Sequence, residues 1–186
     1  MKVLVACEES QCVALAFREY GHLAFSCDLK KCSGGYPSIH FQEDCFNVIN
    51  RYSWDLIIAH PPCTYLAVSG ALNLFDKFGN INSHRYELMK DAVEFFYKFV
   101  HLGESGQRLC IENPRPMARC HLPKHSQVIQ PFEFGEDFSK QTLLWEYNLP
   151  LLIGDCYATS KRKFGKSWCA EVHSVEMRSK TFNGTI

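Results

Sequence analysis

Among the ten cysteines of this 186-residue chain, one stands where a thiolate could do chemistry. Cys63 follows Leu56-Ile57-Ile58-Ala59-His60-Pro61-Pro62. Leu56 to Ala59 reads as a short buried strand. The two prolines cannot donate ladder hydrogen bonds, and they force an extended, rigid turn. Cys63 is therefore expected at the carboxyl end of a buried strand, the edge where open α/β sheets bind ligands. The ordinary reading of a cysteine is a small apolar filler, and most of the other nine are read that way. A carboxylate stands in a similar setting. Glu112 follows the buried run Gln107 to Ile111 and runs into Asn113-Pro114-Arg115-Pro116. In a parallel sheet it shares an edge with Cys63, where it could hold or move a proton. Asp28 ends the run Leu23 to Cys27, the place where such folds bind ribose hydroxyls. A surface carboxylate ending a strand explains Asp28 equally well.

The elements that must position these groups follow in order. Lys2 to Cys7 reads as a first buried strand and Glu8-Glu9-Ser10 as a turn. Gln11 to Tyr20 reads as a helix with Val13, Ala14 and Phe17 toward the sheet, capped by Gly21. With Leu23 to Cys27 this makes β-α-β, the opening unit of a parallel doubly wound sheet. Ser33 to Pro37 is a loop, and Phe46 to Arg51 a short helix. Ser69 to Ser83 is expected as a mobile loop over the site. His84 to Leu102 is the longest helix. Leu88, Ala92, Phe95, Phe96 and Phe99 form its core stripe, and Gly103 ends it. Met117 to Lys140 is irregular, Gln141 to Tyr147 a later strand, and the last ~30 residues lack clear periodicity.

Composition narrows the classes. Hydrophobic content is 46%, enough for a single α/β domain with a real core. Twenty basic and twenty acidic residues balance, so binding to nucleic acid would need a local basic patch. Lys161-Arg162-Lys163, with Lys166, is the most basic run. No apolar stretch approaches the ~20 residues that span a bilayer, and no signal peptide is evident. Scattered cysteines then imply reduced thiols in a cytoplasm. There is no Cys-x-x-Cys pair. Cys120-His121 with His125, and Cys156 or Cys169 with His173, are poorly spaced for zinc, so no metal is expected.

Pro62-Cys63 followed by Glu112-Asn113, each after a buried strand, resembles the DNA cytosine-5 methyltransferases. The likeness is closest to compact phage-type DNA methylase-like proteins, whose later segments resemble Phe134-Gly135 through Trp145 and Arg178 to Phe182. It covers most of residues 1–150 as an order of motifs. It implies a Rossmann-like, doubly wound, mostly parallel sheet without a full target-recognition domain. It further implies S-adenosyl-L-methionine as cofactor and DNA as partner. Cys63 and Glu112 would be catalytic. Cys7, Glu8, Asp28, Asp44 and Pro61 would line the cofactor site, with Asp28 on the ribose and Asp44 on the adenine amine. Pro62, Asn113 and Lys140 would contact the base. Amino-methylating enzymes resemble the same turn with an aromatic at the fourth position. Here that position is Cys63, and Tyr65 comes two residues late. The first turn, Cys7-Glu8-Glu9-Ser10, lacks the glycines usual in the family. Alternatives on the same scaffold are a transferase acting on RNA, a nucleotide or another base, and a non-catalytic binding module.

Overall fold

The computed structural model describes residues 1–136 and 138–154. The run Lys161 to Lys166, the segment Arg178 to Phe182 and the candidate ligands Cys156, Cys169 and His173 lie outside the described residues. Seven strands form one sheet: β1 Lys2–Ala6, β2 Leu23–Asp28, β3 His40–Gln42, β4 Leu56–Ala59, β5 Leu109–Asn113, β6 Gln127–Ile129 and β7 Thr142–Tyr147. Their order across the sheet is β3-β2-β1-β4-β5-β7-β6. The first five run parallel, while β7 is antiparallel to both β5 and β6. This is the Rossmann-like, doubly wound, mostly parallel sheet expected from the sequence. From β1 the chain winds outward to β2 and β3, then returns to the other side as β4. The switch point, where such sheets bind ligands, therefore lies between the carboxyl ends of β1 and β4.

Among the described residues three α-helices flank the sheet: α1 Cys12–Glu19, α2 Cys45–Arg51 and α3 Ser83–Glu104. The strands are buried on alternate faces. On one face Leu4, Ala6, Ile57, Ala59, Leu109 and Ile111 pack with α2 and α3 through Val48, Ile49, Met89, Phe96 and Phe99. On the other, Val3, Val5, Leu56 and Ala24 pack with Val13 and Ala14 of α1.

Several expectations are corrected. The fully buried positions of α3 are Met89, Phe96, Phe99, Val100 and Gly103, while Leu88, Ala92 and Phe95 are half-buried. Gly103 does not end the helix. It is glycine because Tyr147 of β7 lies against it: a Cβ there would stand 2.3 Å from Tyr147 Cγ. The helix stops at Glu104, just before Gly106 at φ 107°. Glu112 and Asn113 do not follow β5 but lie within it, because β7 extends the ladder, pairing Glu112 with Leu144 and Asn113 with Leu143. The region after Met117 holds a strand, β6. Its three residues were too few for a periodic signal. The segment after Cys63 is partly ordered: Val68–Leu74 is a 3-10 helix pinned by buried Leu74, followed by a turn that pairs Phe75 with Ile81.

Candidate active site

The Pro-Pro turn and the end of β5 are clamped together. The amide of Asn113, 1% exposed, donates to the Pro61 carbonyl at 2.7 Å. Upstream, the His60 N–H donates to the Ala6 carbonyl at 3.0 Å, tying the same turn to β1. Downstream, the Cys63 carbonyl accepts from the N–H groups of Leu66 and Ala67. Cys63 is half-buried and is not in a disulfide. The sequence placed Asn113 on the substrate; its amide is committed to Pro61 O, and its Oδ1 is buried with no partner among the described residues.

Glu112 points to the opposite face from Leu109 and Ile111. There it meets His60, with Nδ1 and Oε2 3.2 Å apart and the two side chains 15% and 23% exposed. Burial pushes the imidazole toward its neutral form. The hydrogen bond and charge of Glu112, with the charge of Glu8, outweigh burial and leave the pKa of His60 raised. Burial likewise pushes Glu112 up, but His60 and Lys140 hold it below the usual carboxylate range. Both shifts favour the ion-paired form of His60 and Glu112. His60 had been read only as part of the turn, and nothing in linear spacing joins it to Glu112. The signal was its position at a strand end on the same edge.

Glu8 turns inward and is buried. Its carboxylate accepts from Val13 N at 2.6 Å and Ala14 N at 3.3 Å, the first free donors of α1. Burial raises its pKa more than His60 and these donors lower it. Because a carboxylate from the chain itself already fills this helix N-terminus, the turn offers no phosphate cradle of the usual kind. Close approach of backbone occurs there, but between two loops. The Gln11 side chain exchanges hydrogen bonds with both backbone groups of Tyr36. A Cβ on Gly34 would stand 2.5 Å from Ser10 O. Cys7 is packed beside Cys45. A side-chain hydrogen bond with Cys45, then burial, push its pKa well up, which disfavours the thiolate.

Asp28 ends β2 half-buried and accepts from Lys30 N. Asp44 is exposed and caps α2 by accepting from Phe46 N at 2.8 Å. Lys140 lines an open groove of about 250 Å³ together with His60, Glu112, Ile58, Cys110 and Leu144. Cys63 is not part of that lining. Cation–ring contacts occur at the residues that follow Cys63 in the chain and in the segment beyond them. Arg85 donates to Thr64 O and lies 4.9 Å over the Tyr65 ring. Arg119 stacks on Phe75 and Lys77 on Phe78. Leu72 and Phe78 are 88% and 77% exposed. Among the described residues no group of His, Cys, Asp or Glu is arranged to hold a metal, and no helix is long and apolar enough to cross a membrane.

No known family profile matches the chain, and no curated protein does. Among solved structures it is similar to an E. coli prophage-encoded protein named as a candidate DNA modification methyltransferase. The identity is 13% and the TM-score 0.44, over 77% of this chain and 45% of the other. The chain thus spans less than half of that protein's length. A likeness of this extent leaves the activity to be argued from the site.

Proposed function

We propose that the protein is an S-adenosyl-L-methionine-dependent methyltransferase acting on carbon 5 of cytosine in DNA, with Cys63 as nucleophile and Glu112 as the group that holds the base. The observation that carries this reading is the clamp of Asn113 on Pro61. It fixes a thiol-bearing turn and a carboxylate-bearing strand end to one another at the carboxyl edge of the sheet.

The chemistry requires both groups. Carbon 5 of cytosine is a weak nucleophile. A thiolate adding at carbon 6 forms an S–C bond and shifts the ring double bond's electron pair toward carbon 5. When bound, S-adenosyl-L-methionine supplies the methyl group on a sulfonium. After transfer the carbon-5 proton leaves, and the thiolate is expelled as the double bond re-forms. Glu112 would accept from the exocyclic amine and favour the protonated form of ring nitrogen 3 as charge develops. The acidic surroundings of the switch point, Glu8, Glu9 and Asp28, suit a cationic cofactor. The α1 N-terminus, filled by Glu8, suits one without phosphates. The base would leave the duplex to reach the thiol. Arg85, Arg119 and Lys77, with exposed Leu72 and Phe78, offer charge for phosphates and apolar surface for a nucleic acid.

The test uses duplex DNA whose target cytosines carry fluorine at carbon 5. Fluorine cannot leave as the proton does, so a covalent complex should accumulate with S-adenosyl-L-methionine. We expect a denaturation-resistant band with the wild-type chain and none with Cys63→Ser. Methyl transfer that survives Cys63→Ser would sink the covalent reading. Transfer to RNA or free nucleotides in preference to DNA would redirect it to another acceptor.

A further inference from the structure

We propose that His60 is the positioning residue of this site: its Nδ1 holds Oε2 of Glu112 and so sets the direction and the ionic pairing of that carboxylate. This rests on the reading of Glu112 as the group that holds the acceptor base.

Three observations support it. The first is geometry. Nδ1 of His60 stands 3.2 Å from Glu112 Oε2, and His60 is the hydrogen-bond partner of the Glu112 side chain among the described residues. The backbone of His60 is held by its main-chain N–H to Ala6 O and is followed by two prolines. A backbone so anchored restricts where the ring can meet Glu112. The second is the charge around the ring. Glu112 faces it from β5 and Glu8 from the β1–α1 turn, both favouring the charged ring, while Lys140, ahead of β7, opposes it. Further out on the groove face, Glu146 and Cys110 adjoin. Two carboxylates against one lysine favour the charged form of the ring. The third is that this arrangement is not what stability alone would select. Nε2 of His60 is covered and has no partner among the described residues. A half-satisfied buried imidazole costs free energy that an apolar residue would not.

The consequence is a division of labour across the turn. Its first residue sets the charge and direction of the carboxylate, and its fourth, Cys63, carries the thiol. Pro61 and Pro62 keep the two at a fixed separation.

Two experiments test this. The first needs no activity. Nitrogen-15 NMR of the His60 ring follows its titration in the wild type, Glu112→Gln and Glu8→Gln. We expect the midpoint to fall in both variants and to fall further in Glu112→Gln, with the Nδ1 resonance losing its hydrogen-bonded shift only in that variant. An unmoved midpoint and Nδ1 resonance in Glu112→Gln would overturn the proposal. The second reads methyl transfer against pH for His60→Asn and His60→Ala. Asn keeps a donor near the Nδ1 position without the charge, and Ala keeps neither. We expect kcat to fall about 10²-fold in Ala, the scale of a misplaced catalytic group, with partial rescue in Asn and the KM for cofactor unchanged. The acid limb should move to higher pH in both, because Glu112 then protonates more easily. Full activity with an unmoved acid limb in His60→Ala would overturn it. If the wild type transfers no methyl group, the functional reading fails, and the NMR result still decides the role of His60.

Discussion

The two faces of this sheet are built from the same strands and have opposite characters. β5 shows it in five residues: Leu109 and Ile111 enter the packed face, and Cys110 and Glu112 the other. The packed face is closed by α2 and α3 and holds Phe96 against Trp145 and Phe46 against Phe99. Among the described residues the other face is covered by α1 over β1, β2 and Leu56 of β4, and beyond it lies the open groove. The titratable groups Glu8, His60, Glu112 and Glu146 all belong to this second side. A charge can remain in a sheet only where water or a counter-ion reaches it, so the incompletely covered face is the one that can carry a site.

The comparison can be broken most strongly at chemistry. Glu112→Gln keeps the shape and removes the charge. It should lower methyl transfer by about 10²–10⁴-fold, the range for a lost acid–base group, as read by label incorporation into DNA. Next comes packing. Phe99→Ala on the closed face should cost about 3–5 kcal/mol in urea unfolding. Phe17→Ala beside the groove should cost clearly less, because Phe17 is half-buried and has room to shift. Equal losses would mean the two faces are equally packed. Gly103→Ala should cost about 1–3 kcal/mol through overpacking against Tyr147.

A subtler effect is the pH dependence of folding. The raised pKa of His60 contributes stability that is complete below the unfolded histidine value and is lost as pH rises through the folded one. The lowered pKa of Glu112 contributes stability that is present above the unfolded carboxylate value and is lost as pH falls through the folded one. Their joint stabilisation is greatest between these limits, on the mildly acidic side of neutrality. Glu112→Gln should flatten that maximum in denaturant midpoints measured from pH 4 to 8. Glu8 runs the other way from Glu112: its raised pKa means its contribution fades as pH rises. The smallest effect belongs to the exposed surface. Leu72→Ser should change stability by less than about 0.5 kcal/mol while weakening DNA binding by fluorescence anisotropy. Unchanged DNA binding would remove Leu72 from the interface.

Much of the frame was legible. Val3, Val5, Leu56 and Ile57 form continuous apolar runs, as strands buried on both faces must. Gly21 at φ 82° closes α1 as its position suggested. β3 and β6, three residues each, were missed because pairing with a neighbour, not a local pattern, makes them strands. In α3, phenylalanines at helical spacing identified the helix but not which of them were fully buried, since both Phe95 and Phe96 fit an apolar stripe. Only the packing partner Trp145 selects Phe96.

By itself the sequence determined the parallel frame, the rigid turn before Cys63 and the strand that carries Glu112, because local patterning and proline stereochemistry act over neighbours in the chain. Tertiary structure alone decided that Asn113 grips Pro61, that Glu8 fills its own helix N-terminus, and that His60 and Glu112 share a charge. Those contacts join residues up to 52 positions apart, and a pKa is set by burial and by the charges around a group in space, which the order of residues does not specify.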